Sequence, residues 1–310
     1  MRWRRRFSRN SHGTSVPTLV FIDTNIFLDF YRVQGREGDL SVLDHIDAHH
    51  SSIITTAQVE MEFKKNRPGV ILDSHKALKS PDWNGLRLPA YLARSKQSSG
   101  LDTGRKSVES QLKTLRARVE NVLRTPTRYD PVYKVAQRLF RAREDIHLTR
   151  TKEERRRIRR LAWKRFILGY PPRKPTDTSI GDAINWEWIV HCANLKSADV
   201  VIVSRDSDYG VSFGGKPVLN DWLQHEFKER VGRRRQIQLT DRLTEGLKVA
   251  AIKVKRSEEK AEEELLQRIE STRRGNLGLG TATLPGLHGS GLGGLLGLFG
   301  DIKSTGDTDE

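Results

Sequence analysis

Four acids from distant parts of the 310-residue chain, Asp23, Glu62, Asp182 and Asp206, fall where a parallel sheet gathers ligands, and Asp208 follows shortly after. Asp23 ends the apolar run TLVFI, and Glu62 lies one turn into the helical pattern after a second run. Asp182 opens the pattern GDAINWEWIVHC, and Asp206 follows DVVIVS. Carboxylates gathered at about 4 Å repel by roughly 4 kcal/mol per pair at an effective dielectric near 20, so such a group requires a cation. Oxygen ligands, with a single cysteine and no well-placed histidine pair, favour Mg2+ or Mn2+ over zinc. Either ion polarises a phosphodiester, acidifies a bound water and stabilises the leaving oxygen, the chemistry of metal-assisted phosphodiester hydrolysis.

Each acid also has a local role available. Asp23 precedes a helical pattern and can cap it, worth about 1 kcal/mol. Ser179 to Asp182 resembles a capping box, Glu62 could be a solvated helix acid, and Asp206 with Asp208 suits an Asx-type turn. Their joint placement at strand and helix ends favours a shared site.

The positioning elements follow from periodicity. Thr18 to Ile22 and Asp199 to Ser204 are continuously apolar and β-branched, as in strands buried on both faces. A helix is expected at about 25–33 and another over Ser41 to Ala48. A short strand spans Ser52 to Thr55, and a third helix starts near Thr56 and stops at Pro68-Gly69. Residues of about 70–170 lose the strand pattern and read as a long, basic helical insertion. Ile180 to Cys192 and Asn220 to Arg230 are helical, Ile237 to Leu239 is a strand, and a helix lies near 241–254. This alternation predicts an α/β fold, a Rossmann-like parallel β-sheet flanked by helices. Three regions are expected: a basic flexible tail at 1–17, a folded domain at 18–254, and a charged helix with a disordered Gly/Leu-rich tail at 255–310.

Fifty-five Lys plus Arg against 39 Asp plus Glu leave a net charge of +16, which calls for a polyanionic partner, nucleic acid before membrane surface. Residues 141–173 concentrate twelve Lys or Arg against four acids, while Ile158, Leu161, Ala162 and Phe166 keep an apolar stripe. Arg155, Arg156, Arg157, Arg159, Arg160, Lys164 and Arg165 are therefore the expected nucleic-acid-binding residues. A solvated face is the plainer reading of Arg155 to Arg160 and of Arg233 to Arg235, and the net charge of +16 favours nucleic-acid contact over it. Cys192 alone excludes zinc fingers and internal disulfides, suits a reducing cytoplasm, and is expected to be a small buried residue. No window is apolar enough to span a membrane. Trp188 is expected in the core and Trp186 is open. His45, His49 and His50 are expected to be polar surface residues.

The stretches FIDTNIFL, TTAQVEMEF, SIGDAINWEWI and VIVSRDSDYG, in this order, resemble the motifs of PIN-domain nucleases. LNDWLQHEF and QIQLTDRL resemble the closing section of a PIN-like subgroup found mainly in bacteria. The likeness covers about 18–250 outside the insertion. It implies a Rossmann-like sheet, metal-dependent cleavage of mostly single-stranded RNA, and Asp23, Glu62, Asp182 and Asp206 as the metal-coordinating acids. Asn25 and Ser204 match accessory polar positions. The spacing V-x-x-E-F selects Glu62 over Glu60, Asp206 and Asp208 remain rivals, and Glu187 is a candidate outer acid.

The resulting expectation is a Mg2+- or Mn2+-dependent endoribonuclease acting on single-stranded RNA. An antitoxin or regulatory protein is a conceivable partner, and the oligomeric state is open. Two rivals share these residues: a structure-specific DNA nuclease, and a nucleic-acid-binding scaffold without catalysis. An aspartyl phosphatase is disfavoured, because Thr24-Asn25 replaces the second Asp expected two residues after a nucleophilic one.

Overall fold

The computed structural model describes residues 16–32, 40–76, 78–83, 88–172 and 179–278. The expected basic arm, apart from its last two residues, and the Gly/Leu-rich tail after Gly278 lie outside the described residues. Two units are distinguished, one running through Arg268 and the other beginning at Ile269.

Seven strands are described: β1 (Thr18–Ile22), β2 (Ile53–Thr56), β3 (His147–Leu148), β4 (Asp199–Val203), β5 (Gly210–Phe213), β6 (Lys216–Leu219) and β7 (Ile237–Thr240). The helices are α1 (Thr24–Asp29), α2 (Val42–Ala48), α3 (Ala57–His75), α4 (Lys96–Arg124), α5 (Pro126–Tyr129), α6 (Pro131–Arg141), α7 (Arg155–Ile167), α8 (Gly181–Lys196), α9 (Asp221–Arg230), α10 (Leu243–Val249) and α11 (Arg256–Gly278).

The central sheet has the order β3-β2-β1-β4-β7 and is parallel throughout. Val20 pairs with Ile53 on one side and Val201 on the other, and both long strands are buried on each face, as their unbroken apolar runs require. Strand order reverses between β1 and β4, so a crevice opens beyond their carboxyl ends. Gly246 lets α10 lie close on the sheet, since a Cβ there would stand 2.4 Å from Val203 Cγ2.

Three features depart from the sequence expectation. First, α3 does not stop at Pro68-Gly69 but continues to His75. Pro68 leaves the Lys64 carbonyl without its helical partner, yet both residues face solvent, where water can take that bond. Arg67 and Ile71, on the inner face, are buried and hold the helix together across the proline. Second, the stretch read as a mostly helical insertion returns to the sheet. Val132, Val135, Leu139 and Phe140 of α6 join the core, and β3 pairs with β2. A two-residue strand carries too little pattern to be seen in sequence. Third, the antiparallel β5-β6 hairpin has no counterpart in the sequence pattern; of its two strands only Gly210, at the start of β5, is buried.

The insertion is tied to the domain by a buried ion pair. Arg67 of α3 bonds Asp130, the residue that caps α6, at 2.6 and 2.7 Å, and reaches the Val122 carbonyl of α4 at 2.6 Å. The Tyr31 hydroxyl donates to the same carboxylate at 2.7 Å, and burial together with the Asp130 charge pushes that phenol far above its ordinary pKa. Removing one partner of such a pair leaves the other charged and desolvated. Arg67→Met should therefore lower unfolding free energy by about 3–5 kcal/mol in urea titrations, with Asp130→Asn similar in direction.

Candidate active site

Asp23 is 5% exposed and sits where β1 feeds α1. Its Oδ1 accepts the Thr24 N–H at 2.6 Å, so the capping role is real. Its Oδ2 accepts from Ser204 Oγ at 2.6 Å and from Asn25 Nδ2 at 2.8 Å. Ser204 directly follows β4, and its own N–H bonds the Thr240 carbonyl of β7 at 3.0 Å. The carboxylate is thus clamped across the point where strand order reverses.

Asn25 links a second acid to the first. Its Nδ2 also donates to Asp206 Oδ2 at 3.2 Å, and its Oδ1 accepts the Arg205 N–H at 3.3 Å. The Asp206 N–H bonds Ser204 Oγ at 3.1 Å, which fixes the turn after β4. On the other side, Thr24 Oγ1 donates to Glu62 Oε2 at 3.0 Å, while Gln58 Nε2 holds Glu62 Oε1 at 2.6 Å. Glu60, the rival to Glu62, instead pairs with Lys64 at 2.6 Å.

The residue that precedes α8, Ile180, offers no side-chain cap, and Ser179 Oγ accepts the Gly181 N–H at 3.2 Å instead. Gly181 allows a close approach to α3, because a Cβ there would lie 2.9 Å from Glu62 Oε1 and 2.6 Å from Gln58 Nε2. Tyr209, fully buried, feels the charges of Asp182, Asp23, Asp208 and Glu62, which with burial as the larger cause push its phenol well above the ordinary range. Its hydroxyl has no hydrogen-bond partner. Asp206 is exposed at the rim, Asp182 half-buried and Asp208 buried.

Two expectations are corrected. Glu187 lies five residues after Asp182, about 140° around the helix, and turns away from the acids. Its carboxylate bonds Arg165 at 3.0 Å and Arg230 at 2.7 Å. Burial alone would raise its pKa, but the hydrogen bonds and charges of Arg230 and Arg165 hold it below the usual carboxylate range. Arg165 is accordingly not a surface cation: it is buried, with Glu187, Glu226 and the Pro171 carbonyl as partners. The other cations on α7 lie toward solvent. Arg156, Arg157, Arg159, Arg160 and Lys164 are exposed and Arg155 is half-buried.

Trp186 and Trp188 are both fully buried, with indole N–H groups bonded to Glu226 and the Ile146 carbonyl, and Cys192 is buried beside the same carbonyl. His45 is not merely a polar surface residue, since its Nε2 lies 3.1 Å from the buried Glu258 carboxylate of α11. Thr24, Gln58, Gly181 and Tyr209 escaped the sequence reading, although each adjoins or lies close to a motif acid.

Burial pushes the Asp23 carboxyl up to about 7, with the Asp206 and Glu62 charges adding to it and hydrogen bonds from Ser204 and Thr24 opposing it. A cation beside Asp23 would relieve both burial and repulsion. The available donors, carboxylates and hydroxyls, are the hard oxygen ligands a divalent cation takes. Among the described residues, no three His, Cys, Asp or Glu side chains form a ready coordination shell, and Asn25 stands between Asp23 and Asp206. The residues fit such an ion in donor chemistry.

A parallel sheet in this order, with acids at its reversal point, defines a doubly wound α/β domain with an acidic crevice. The model of the PIN-domain family matches residues 20–209, and the chain belongs to that family. PIN domains are generally nucleases and typically use divalent metals. No curated protein and no solved structure matches the chain.

Because folding raises the proton affinity of Asp23, the folded state holds the extra proton between about pH 4 and about pH 7, and stability falls as pH rises through that window. In EDTA, the wild-type Tm should drop more steeply from pH 5 to pH 8 than that of Asp23→Asn. Parallel slopes would assign this carboxyl an ordinary pKa.

Proposed function

We propose that the protein is a divalent-metal-dependent endoribonuclease that hydrolyses phosphodiester bonds of single-stranded RNA, with Mg2+ or Mn2+ as the ion. The observation that carries this reading is the hydrogen-bonded chain Glu62–Thr24–Asp23–Asn25–Asp206, which joins three separated segments at the crevice. In this reading Asp23, Asp182 and Asp206 hold the ion, with Asp208 as an alternative ligand, and Glu62 completes the set or positions water. The ion supplies a polarised phosphoryl group and an acidified water. Asn25 and Ser204 orient the Asp23 carboxylate, and Thr24 orients Glu62.

The grip on substrate falls to α7. Arg157 contacts His191 near the end of α8 while Arg165 contacts Glu187 nearer its start, so the two helices run antiparallel. The chain leaving α7 therefore emerges at the end of α8 that carries Asp182. Exposed cations on this helix suit a phosphate backbone, and exposed aromatics accompany them: Trp163 is 54% exposed, and Tyr170 stacks on Trp222 at 5.4 Å. Unpaired bases can stack on such rings, whereas duplex bases cannot, which favours a single strand.

Asp23→Asn and Asp182→Asn should each reduce cleavage of single-stranded RNA at least about 100-fold in Mg2+ or Mn2+, and EDTA should abolish it. Cleavage indifferent to EDTA and to both substitutions would refute the metal mechanism, and preferential cutting of flap or single-stranded DNA would reassign the substrate. Gly181→Ala should displace the Glu62 carboxylate, lowering kcat with little change in Tm. Replacing Arg159 and Arg160 by Ala should flatten the log–log salt dependence of RNA binding by about 0.7 for each phosphate no longer neutralised. An unchanged slope would place the strand elsewhere.

A further inference from the structure

At the opposite end of the sheet from the acids lies an open cleft of about 440 Å3, a size suited to a small ligand. Its position follows from chain direction. Asp23, Ser204 and Asp206 follow the carboxyl ends of their strands, whereas His50 and Ala142, which line the cleft, precede β2 and β3. In a parallel sheet these are opposite edges.

One wall is a face of α6. Lys134, Gln137, Arg138 and Arg141 recur at helical spacing and all line the cleft, with Thr127 and His50 among the remaining groups. No acid is among the described residues that line it. Arg138 is already held by Asp47, at 2.7 and 2.8 Å, while Lys134 and Arg141 are exposed. Gln137 is 8% exposed, and its Nε2 has no hydrogen-bond partner. His50 Nε2, 3.6 Å from Asp47, also makes no hydrogen bond. A buried donor left unmade is costly, so Gln137 Nε2 in the lining of this cleft marks a place that an acceptor would complete, and His50 Nε2, when it carries a proton, adds a second donor from another element.

We propose that this cleft is a second, non-catalytic anion site that binds a phosphate group. The lining offers cationic and amide donors, and a phosphate carries several strong acceptor oxygens that can engage them together. The phosphate can belong to a free mononucleotide or to the backbone of an RNA strand whose other part occupies the acidic crevice.

The test uses the full chain in EDTA, titrated with inorganic phosphate, adenosine monophosphate and a short single-stranded RNA. The cleft variant is Lys134→Glu with Arg141→Glu; the control, Lys113→Glu with Arg118→Glu, makes the same charge change on exposed positions of α4. The expected result is a loss of affinity of about tenfold or more for the cleft variant, against less than about twofold for the control. Weakening with phosphate and the mononucleotide identifies a small-ligand site, and weakening with RNA alone identifies the strand backbone. Equal affinities of the two variants for all three probes would overturn the proposal. Gln137→Leu removes donors at constant charge and should weaken the same probe. Asp23→Asn should leave cleft binding intact, so failure of the nuclease reading and failure of this one give different results.

Discussion

The carboxylate of Asp23 is buried between the carboxyl ends of β1 and β4 with other acids nearby, and the surrounding structure is arranged to keep it there. Burial and like charge both act against its ionised form. Two forces hold it in place. Apolar β1 and β4, each covered on both faces, fix the backbone on either side, and hydrogen bonds from Ser204, Asn25 and Thr24 fix the oxygens. Ser204 follows β4 directly, and Thr24 and Asn25 open α1 where β1 ends, so the geometry of the crevice is set by the strand ends together with the turn that Asn25 ties down after β4.

Around that point, charge is divided by location. The acids cluster at one end of the parallel sheet, while exposed cations gather on α7 and on the outer face of α6. Where a cation is brought inside, it is consumed. Arg165 and Arg230 close on Glu187 and Glu226, and Arg205 pairs with Asp29 and Glu262. A net positive chain can thus keep an acidic crevice, because its interior arginines are neutralised locally and its remaining positive charge faces solvent.

Much of this was legible in sequence because the signals are local. Unbroken β-branched runs marked β1 and β4, and the acids at their ends stood out as polar residues where a buried strand finishes. What stayed hidden depends on interactions made across long separations. Pro68 argued for a helix end because sequence does not show that the missing hydrogen bond faces water while Arg67 meets Asp130 inside. Arg165 looked like one more cation in a basic run until Glu187, on the next helix, turned out to face it. His45 gave no sign of Glu258, more than two hundred residues away. Two residues of β3 are too few to show a period, and the β5-β6 hairpin lacks the buried face that gives strands their alternation.

The single helix α3 carries Glu62 toward the crevice and, five residues on, Arg67 into the pair with Asp130. Those five residues span about 7.5 Å of rigid helix, so the two ends cannot move independently. The helical stretch after His75 is consequently not an interchangeable module. Asp130 caps α6 and neutralises a guanidinium from the helix that bears Glu62, so swapping that stretch for a shorter linker would remove a counter-charge from the domain's own interior. Length can vary along the exposed part of α4, but the segment's return point is constrained by the domain's electrostatics.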